Sequence, residues 1–292
     1  MTERFELEPA TQERSADGMR EKQLFYGRID DLVARADGGE IAFTDFLTPK
    51  EQHFLRQYLQ RQGRGDGVRF FGGFAGAERC VACFLPDYMR ELLEDLPSES
   101  GGEEEYLGDS VRETVRMLEI RGSGYREITH RDVLGAVLGL GLERDAVGDI
   151  ILLPGDGNGR EQPRVYLLVT GKIAPFLLES LKKIGSDTVR IREGEFPEGF
   201  TFAPKTKALT DTVASGRLDC VIGALTNSAR EKAQSLIRGG LVEVDYETEQ
   251  RPDARLSAPC VISVRGYGKY RLLALGDVTK KGRIRLSAEQ YL

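Results

Sequence analysis

Arg230, Gln234 and Arg238 recur every fourth residue, a spacing that lines two guanidiniums and a carboxamide along one side of an α-helix. Guanidiniums bind phosphate through paired N–H donors, and a carboxamide reaches sugar or base edges. Lys232 lies in the same stretch, Arg217 and Ser228 precede it, and Arg265, Lys269 and Arg271 follow. These residues carry donors and positive charge but no nucleophile with a base beside it. The chemistry they suggest is the binding of a nucleic-acid backbone, with Ser228 and Gln234 free to touch sugars or bases.

Other chemistry-bearing groups point to packing. Cys80 and Cys83 have the spacing of a zinc or redox pair,. The sequence offers no second such pair, and the strand-like run Cys80-Val81-Ala82-Cys83-Phe84-Leu85 sends the two side chains to opposite faces,. The four cysteines, at 80, 83, 220 and 260, are therefore expected as reduced thiols,. With only His53 and His130 in the chain, a catalytic triad or zinc site has thin support, and neither metal nor cofactor is expected. His130-Arg131-Asp132 resembles the kinase catalytic loop, but the glycine-rich loop, pairing Lys strand and Asp-Phe-Gly of that family are missing,. Thr129 reads instead as a helix N-cap, with His130 structural and His53 on a solvated helix position. Gly155-Asp156-Gly157-Asn158-Gly159 lacks the terminal Glu of a calcium loop and any Gly-Lys-Ser/Thr, so it reads as a hairpin turn,. No glycine-rich cofactor loop follows a strand, which leaves a methyltransferase unsupported.

Two helices must position the basic residues. The first is expected over residues 217–225. Ser228 reads as the N-cap of the second, with Glu231 completing a capping box, and Gly239-Gly240 as its stop,. Ala229, Ala233, Leu236 and Ile237 form the apolar stripe of that helix,. Residues 241–244 and 261–264 alternate as half-buried strands,. Two helices on a small sheet leave a basic face exposed.

Upstream, Leu24, Phe25, Ile29, Leu32 and Val33 predict one amphipathic helix,. Thr48-Pro49-Lys50-Glu51 opens another that carries Phe54, Leu55, Tyr58 and Leu59,. Residues 68–71 and 79–84 read as a hairpin around a glycine-rich turn,. Beyond a glycine- and acid-rich stretch, the order strand (115–120), helix (131–142), strands (149–153 and 164–169), helix (173–184) and strand (188–191) is βαββαβ,. The expected fold class is α+β and multidomain. An N-terminal α/β domain, helical with a β-hairpin (residues 1–97), is followed by an acidic linker or loop (98–109). A central ferredoxin-like domain of the RNA-recognition-motif type (110–195), a linker (196–210) and a C-terminal RNA-binding domain (211–292) complete it. Tyr166 is the single aromatic of the central third strand, so base stacking on that sheet is doubtful.

At 292 residues, 40% hydrophobic and 30% charged, the chain reads as a soluble protein of two or three domains,. No run of 18 apolar residues and no apolar leader occur, so neither membrane span nor secretory signal is expected, and a cytoplasmic location follows,. The net charge of −6 is uneven. From Lys205 onward 15 Lys and Arg face 10 Asp and Glu, against 26 and 37 in the rest. The basic surplus coincides with the two helices.

Arg-Leu-Asp at 217–219, Ser-x-Arg-x-x-Ala from Ser228, Gly-x-Val-x-Val from Gly240 and Ser-Val-Arg-Gly at 263–266 resemble, in order, the RNA-binding domain named after ribosomal small-subunit protein four (S-four, or alpha-L). The resemblance covers residues 212–275. Asp245 departs from it where Asn is usual, and Pro259-Cys260 where Gly-Asp is usual. Two further stretches, Phe70-Phe71-Gly72-Gly73-Phe74-Ala75-Gly76-Ala77-Glu78-Arg79 with Pro86-Asp87-Tyr88, and residues 130–142 with Gly148-Asp149-Ile150, resemble the YlmH family of S-four-domain proteins. That family is also called the photosystem II S-four domain protein family. The resemblance implies a non-catalytic protein that binds rRNA and tRNA on a large ribosomal subunit carrying stranded peptidyl-tRNA, in ribosome-associated quality control. It implies no membrane and no small-molecule substrate. Two alternatives stay open. Gly216-Arg217-Leu218-Asp219 resembles the Gly-Arg-Leu-Asp of pseudouridine synthases, whose Asp is the nucleophile, although the 73 residues after Asp219 are used up by the S-four pattern. The other alternative is a protein-interaction adaptor linked to cell division.

Overall fold

The computed structural model describes residues 10–89, 102–124, 126–155, 163–279 and 282–292. The chain divides into two compact units, one ending at Phe202 and the other beginning at Ala203.

The first unit opens with α1 (Ala10–Asp37), which buries Ile29 and Ala36 and half-buries Phe25, Leu32 and Val33. Leu24, expected on that stripe, is exposed. After β1 (Ala42–Phe43), α2 (Pro49–Arg61) starts as its sequence dictates. Thr48 Oγ1 accepts from the Glu51 amide at 3.3 Å, the Glu51 carboxylate accepts from the Thr48 amide at 2.7 Å, and Pro49 fills the first turn,. β2 (Val68–Phe71) and β3 (Val81–Phe84) form the expected hairpin, and β1 pairs with the far edge of β3.

Residues 102–109, expected in an acidic loop or linker, belong to α3 (Gly102–Thr114), which kinks at Gly108. Residues 98–101 of that stretch, and 156–159 of the expected glycine-rich turn, lie outside the described residues. Next come β4 (Val115–Arg121), α4 (His130–Leu138), β5 (Val147–Leu153), β6 (Arg164–Thr170), α5 (Ala174–Ser180) and β9 (Arg190–Glu193). The strands form one antiparallel sheet in the order β5-β6-β4-β9. The element order is the βαββαβ read from the sequence. α5 stops before the expected residue 184, because β7 (Lys183–Ile184) and β8 (Asp187–Thr188) form a separate two-stranded ribbon there.

One face of this sheet packs Leu118, Ile120, Val165 and Leu167 against Val133 and Val137 of α4 and Leu177 of α5. The other packs Val115 and Leu168 against Phe46, Phe71, Val81 and Leu85. The N-terminal hairpin and the central sheet, read from sequence as separate domains, thus share a core.

The second unit is a six-stranded antiparallel sheet in the order β10-β15-β14-β13-β11-β12. The strands are β10 (Thr206–Val213), β11 (Val242–Val244), β12 (Glu247–Thr248), β13 (Cys260–Val264), β14 (Gly268–Val278) and β15 (Ile284–Tyr291). Residues 206–210, expected in a linker, belong to β10 and pair with β15. Helices α6 (Leu218–Leu225) and α7 (Arg230–Arg238) cover one face through Leu218, Val221, Ile222, Ala233, Leu236 and Ile237, packed on Ile262, Val264, Tyr270, Leu272 and Leu286.

Candidate nucleic-acid interface

The turn between α6 and α7 explains one departure from expectation. Asn227 takes a left-handed conformation (φ 48°), its amide bonds Ala224 O at 3.3 Å, and the Ser228 amide bonds Gly223 O at 2.9 Å. These two bonds close α6 as a Schellman motif. Ser228 is therefore committed to ending the first helix, and its hydroxyl lies 2.8 Å from Thr226 Oγ1. The N-cap of α7 is Ala229, with no side-chain cap, so the expected Ser228 and Glu231 capping box does not form. The stop at Gly239-Gly240 forms as expected, with Gly240 at φ 66° and amide bonds from Gly240 to Ile237 O and from Leu241 to Leu236 O.

Asp219 organises the basic face. It lies in the first turn of α6, where the helix dipole favours a carboxylate, and none of its side chain is exposed. Arg230 donates to Oδ2 from Nε at 3.0 Å and from Nη2 at 2.9 Å, and Gln234 Nε2 does so at 2.9 Å. Arg217 reaches across both oxygens, from Nε to Oδ1 at 3.2 Å and from Nη2 to Oδ2 at 3.3 Å. Burial alone would raise the carboxyl pKa. The hydrogen bonds from Gln234, Arg217 and Arg230 outweigh it and hold the group well below the usual carboxylate range,. Three of the residues singled out in the sequence thus converge on one anion. Arg217 and Arg230 keep 38% and 60% of their side chains exposed, so each guanidinium retains donors turned to solvent,.

The segment over residues 249–256, which carries no periodic signal, completes the site. Its carbonyls cap the amide donors of α6: the Leu218 amide bonds Ala254 O at 2.8 Å and the Asp219 amide bonds Pro252 O at 2.9 Å,. An isolated antiparallel bridge sets Arg255 beside Arg217. Arg255 is exposed and makes no hydrogen bond or ion pair among the described residues. Arg251 is clamped to Glu249 at 2.8 Å, and that contact pulls the Glu249 carboxyl down to about 2. Sequence reasoning missed Arg255; the available signal was the pair of arginines in Arg251-Pro252-Asp253-Ala254-Arg255.

The other expected RNA-binding residues scatter. At about 100° per residue, Gln234 and Arg238 continue from Arg230 along one flank of α7, and Arg238 is exposed. Lys232 falls on the opposite flank of the buried arc formed by Ala233, Leu236 and Ile237. Arg265 sits exposed in the turn after β13. Lys269 and Arg271 flank the buried Tyr270 and so project from the sheet face opposite the helices,.

In the first unit, several polar residues of the stretches that carried the family resemblance are engaged in packing and capping. Arg79 is buried and donates from Nε to Val147 O at 2.9 Å and from Nη2 to Phe46 O and Arg144 O at 3.0 and 3.1 Å. The Glu78 and Arg79 amides both donate to Asp149. Asp132 forms a capping box with Thr129 and pairs with Arg126 at 2.8 Å. The Thr129 hydrogen bonds, then Arg126, lower its carboxyl to about 2. His130 is exposed at the start of α4. His53, expected to be solvated, is half-buried with a ring nitrogen 2.9 Å from Gln57 Nε2. Cys80 and Cys83 are both buried, and burial pushes the Cys83 thiol up to about 12. Among the described residues no cluster of His, Cys, Asp and Glu could hold a metal, and no helix is long and apolar enough to cross a membrane. Tyr166 is 1% exposed beneath Phe196, their ring centroids 4.9 Å apart, and Phe196 stacks on Phe200 at 3.9 Å. Protein aromatics occupy the place where a base would lie. A cleft of about 1070 Å³ beside them sets Arg112, Arg116 and Arg192 against Glu119, Glu193 and Glu195, with no net charge.

Fold and site together define an α+β protein with several antiparallel sheets and a helix-borne basic face. Residues 114–198 match the family profile described as "Putative RNA-binding domain in YlmH". The chain is 30% identical over 249 residues, 85% of its own length and 86% of the relative's, to ribosome-associated protein quality control protein P2 of Bacillus subtilis (strain 168). It belongs to the YlmH family. Among solved structures, cell division protein ylmH from Streptococcus pneumoniae is 21% identical, with a TM-score of 0.38 over 68% of this chain and all of that one.

Proposed function

We propose that this chain is a non-catalytic RNA-binding protein of the cytoplasm that engages rRNA and tRNA on the large ribosomal subunit, in the quality control of stalled peptidyl-tRNA. The observation that carries the reading is the Asp219 clamp. A buried carboxylate fixes Arg217, Arg230 and Gln234, while backbone pairing sets the exposed Arg255 beside Arg217 and Arg238 lies exposed one turn beyond Gln234 on α7. Guanidiniums held in place lose little side-chain freedom on meeting a phosphate, so the face is preorganised for a polyanion. The curated relative named for ribosome-associated quality control supports the ribosomal setting. Recognition of RNA shape fits a face built of phosphate-binding groups. The βαββαβ region is read as ferredoxin-like and the second unit as S-four-like, with the working face on α6, α7 and the 249–256 segment.

A pseudouridine synthase would need Asp219 to touch its substrate, whereas the carboxylate has no exposed surface and its oxygens are taken by Arg217, Arg230 and Gln234. Arg230 is a poor residue to reverse, because a glutamate there would face buried Asp219. The test therefore uses Arg238→Glu with Arg255→Glu. The folded variant should co-sediment less with large subunits bearing peptidyl-tRNA, and its salt slope should fall by about one for each phosphate it no longer binds. Unchanged co-sedimentation would overturn the site. Native binding to protein partners with no salt-sensitive RNA affinity would favour the adaptor.

A further inference from the structure

The sheet face opposite α6 and α7 carries a second pattern of groups. Tyr270, Leu272, Leu286 and Ala288 point into the core, so strand alternation turns Lys269, Arg271, Arg285, Ser287, Glu289 and Tyr291 outward. Register places Lys269 opposite Ser263 and Arg271 between Val261 and Glu289. The Lys269 ammonium lies 5.1 Å from the Tyr291 ring centroid and 5.5 Å from that of Tyr246. Tyr246 stands in the turn between β11 and β12, where Asp245 and Tyr246 have φ of 47° and 67°. Two consecutive left-handed residues make a tight hairpin turn that favours Asn-Gly, so a tyrosine at its second position holds a ring at a conformation that disfavours a side chain. Further along β15, Arg285 and Ser287 border a trough of 540 Å³ with Thr210, Ala274 and Gly276.

We propose that this outer face is a second RNA site, one that takes a single-stranded segment with bases on Tyr246 and Tyr291 and phosphates on Lys269, Arg271 and Arg285. Two aromatic rings with a cation between them form a stacking platform flanked by charge, the arrangement that binds unpaired nucleic acid without sequence preference. Glu243 and Glu289 share the face, and Asp211 and Asp277 line the trough beside Arg285, so the three cations leave no net positive charge among the described residues. Stacking rather than charge must then supply most of the affinity. An unpaired strand presents base faces that a duplex hides, which selects it as the occupant. The site rests on RNA being the ligand of this unit but is independent of the helix face.

The test measures fluorescein-labelled oligouridine and a labelled RNA hairpin binding to the full chain by anisotropy. Tyr246→Leu with Tyr291→Leu should weaken oligouridine binding by roughly five-fold to 100-fold per ring. Tyr246→Phe with Tyr291→Phe should stay within about two-fold of the parent, since phenyl rings stack as well. Arg238→Glu with Arg255→Glu should lose the hairpin and keep oligouridine, which separates failure of this site from failure of the helix face. Native oligouridine binding by a folded leucine pair, or equal weakening in the leucine and phenylalanine pairs, overturns the proposal. Should the leucine pair not fold, 4-thiouridine cross-linking to the parent chain decides: cross-links in β14 and β15 support the site, and cross-links confined to α6 and α7 overturn it.

Discussion

Replacing Asp219 by Asn tests the clamp directly, because it removes the charge and keeps the shape. The carboxylate accepts from two guanidiniums and one amide. Hydrogen bonds to charged groups are worth roughly 1.5–3 kcal/mol each when buried, but Arg217 and Arg230 are 38% and 60% exposed and regain water when released. Much of their share therefore falls to the modest range of surface pairs. What remains is the asparagine NH2 group, a donor turned toward other donors in a site closed to solvent. The expected loss is about 2 kcal/mol, or about 8–16 °C in the unfolding midpoint for a unit of this size. Removing the three donors together, by Arg217→Ala, Arg230→Ala and Gln234→Ala, should cost more, about 3–5 kcal/mol, because it strands a buried charge. The depressed pKa of Asp219 adds a signature in pH. Its folded value lies below the unfolded value of about 3.9, so its stabilisation is complete above that pH and is lost as pH falls further. The gap between parent and Asp219→Asn should be constant from pH 7 to about 5 and shrink below about 4. The chain has no tryptophan, so hydrogen-exchange mass spectrometry of peptides covering α6 and β15 is the suitable readout. Equal protection in parent and variant at pH 7 would refute the clamp.

Ser228→Ala should change stability by less than about 0.5 kcal/mol, since alanine keeps the amide that closes α6 and the lost hydroxyl caps neither helix, whereas Thr48→Ala should cost about 1 kcal/mol through its capping box; urea titration of each variant compares them. Gly148→Ala brings a Cβ to 2.6 Å from the Phe46 ring and should destabilise the first unit by about 1–3 kcal/mol through overpacking, read from exchange protection of β5 and β6. In native protein at pH 8, Cys83 and Cys260, pushed by burial up to about 12 and about 11, should resist iodoacetamide until denaturant is added, as mass spectrometry of the tryptic peptides will show.

What could be read from the sequence was local. The starts at Thr48 and Thr129, the Gly239-Gly240 stop and the hairpin over β2 and β3 depend on residues within one or two turns of each other. The βαββαβ order follows from periodicity along the chain. Ser228 failed as a cap although its local signature was complete, because the preceding helix claims its backbone amide first. Arg255 was invisible because it reaches the site through backbone pairing with Arg217, which leaves no periodic trace. The packing on either side of residues 98–109 was illegible for a related reason: Phe46, Val81 and Leu85 meet Val115 and Leu168 across a long sequence separation, and composition carries no record of that packing.

The position of Arg79 bears on how a family signature should be used. The glycine-aromatic hairpin and the His-Arg-Asp helix were the stretches that narrowed the resemblance, yet Arg79, Asp132 and Asp149 are spent inside the first unit, while Glu78, His130 and Arg131 stay exposed. Arg79 holds three carbonyls, Asp149 takes two amides and Asp132 closes a helix start. A glycine whose Cβ would lie 2.2 Å from the Ala77 Cβ, as Gly72 does, leaves room for no other residue. A recognition face tolerates several cations in several places, because phosphate accepts from any of them. Packing of this kind therefore writes a sharper motif than phosphate binding does, so the residues that identify the family and the residues that meet RNA need not coincide. In this chain the stretches that narrow the resemblance from an S-four domain to the YlmH family lie between Phe70 and Ile150, and the RNA-meeting residues are proposed between Arg217 and Arg255 and on the outer face of the second sheet.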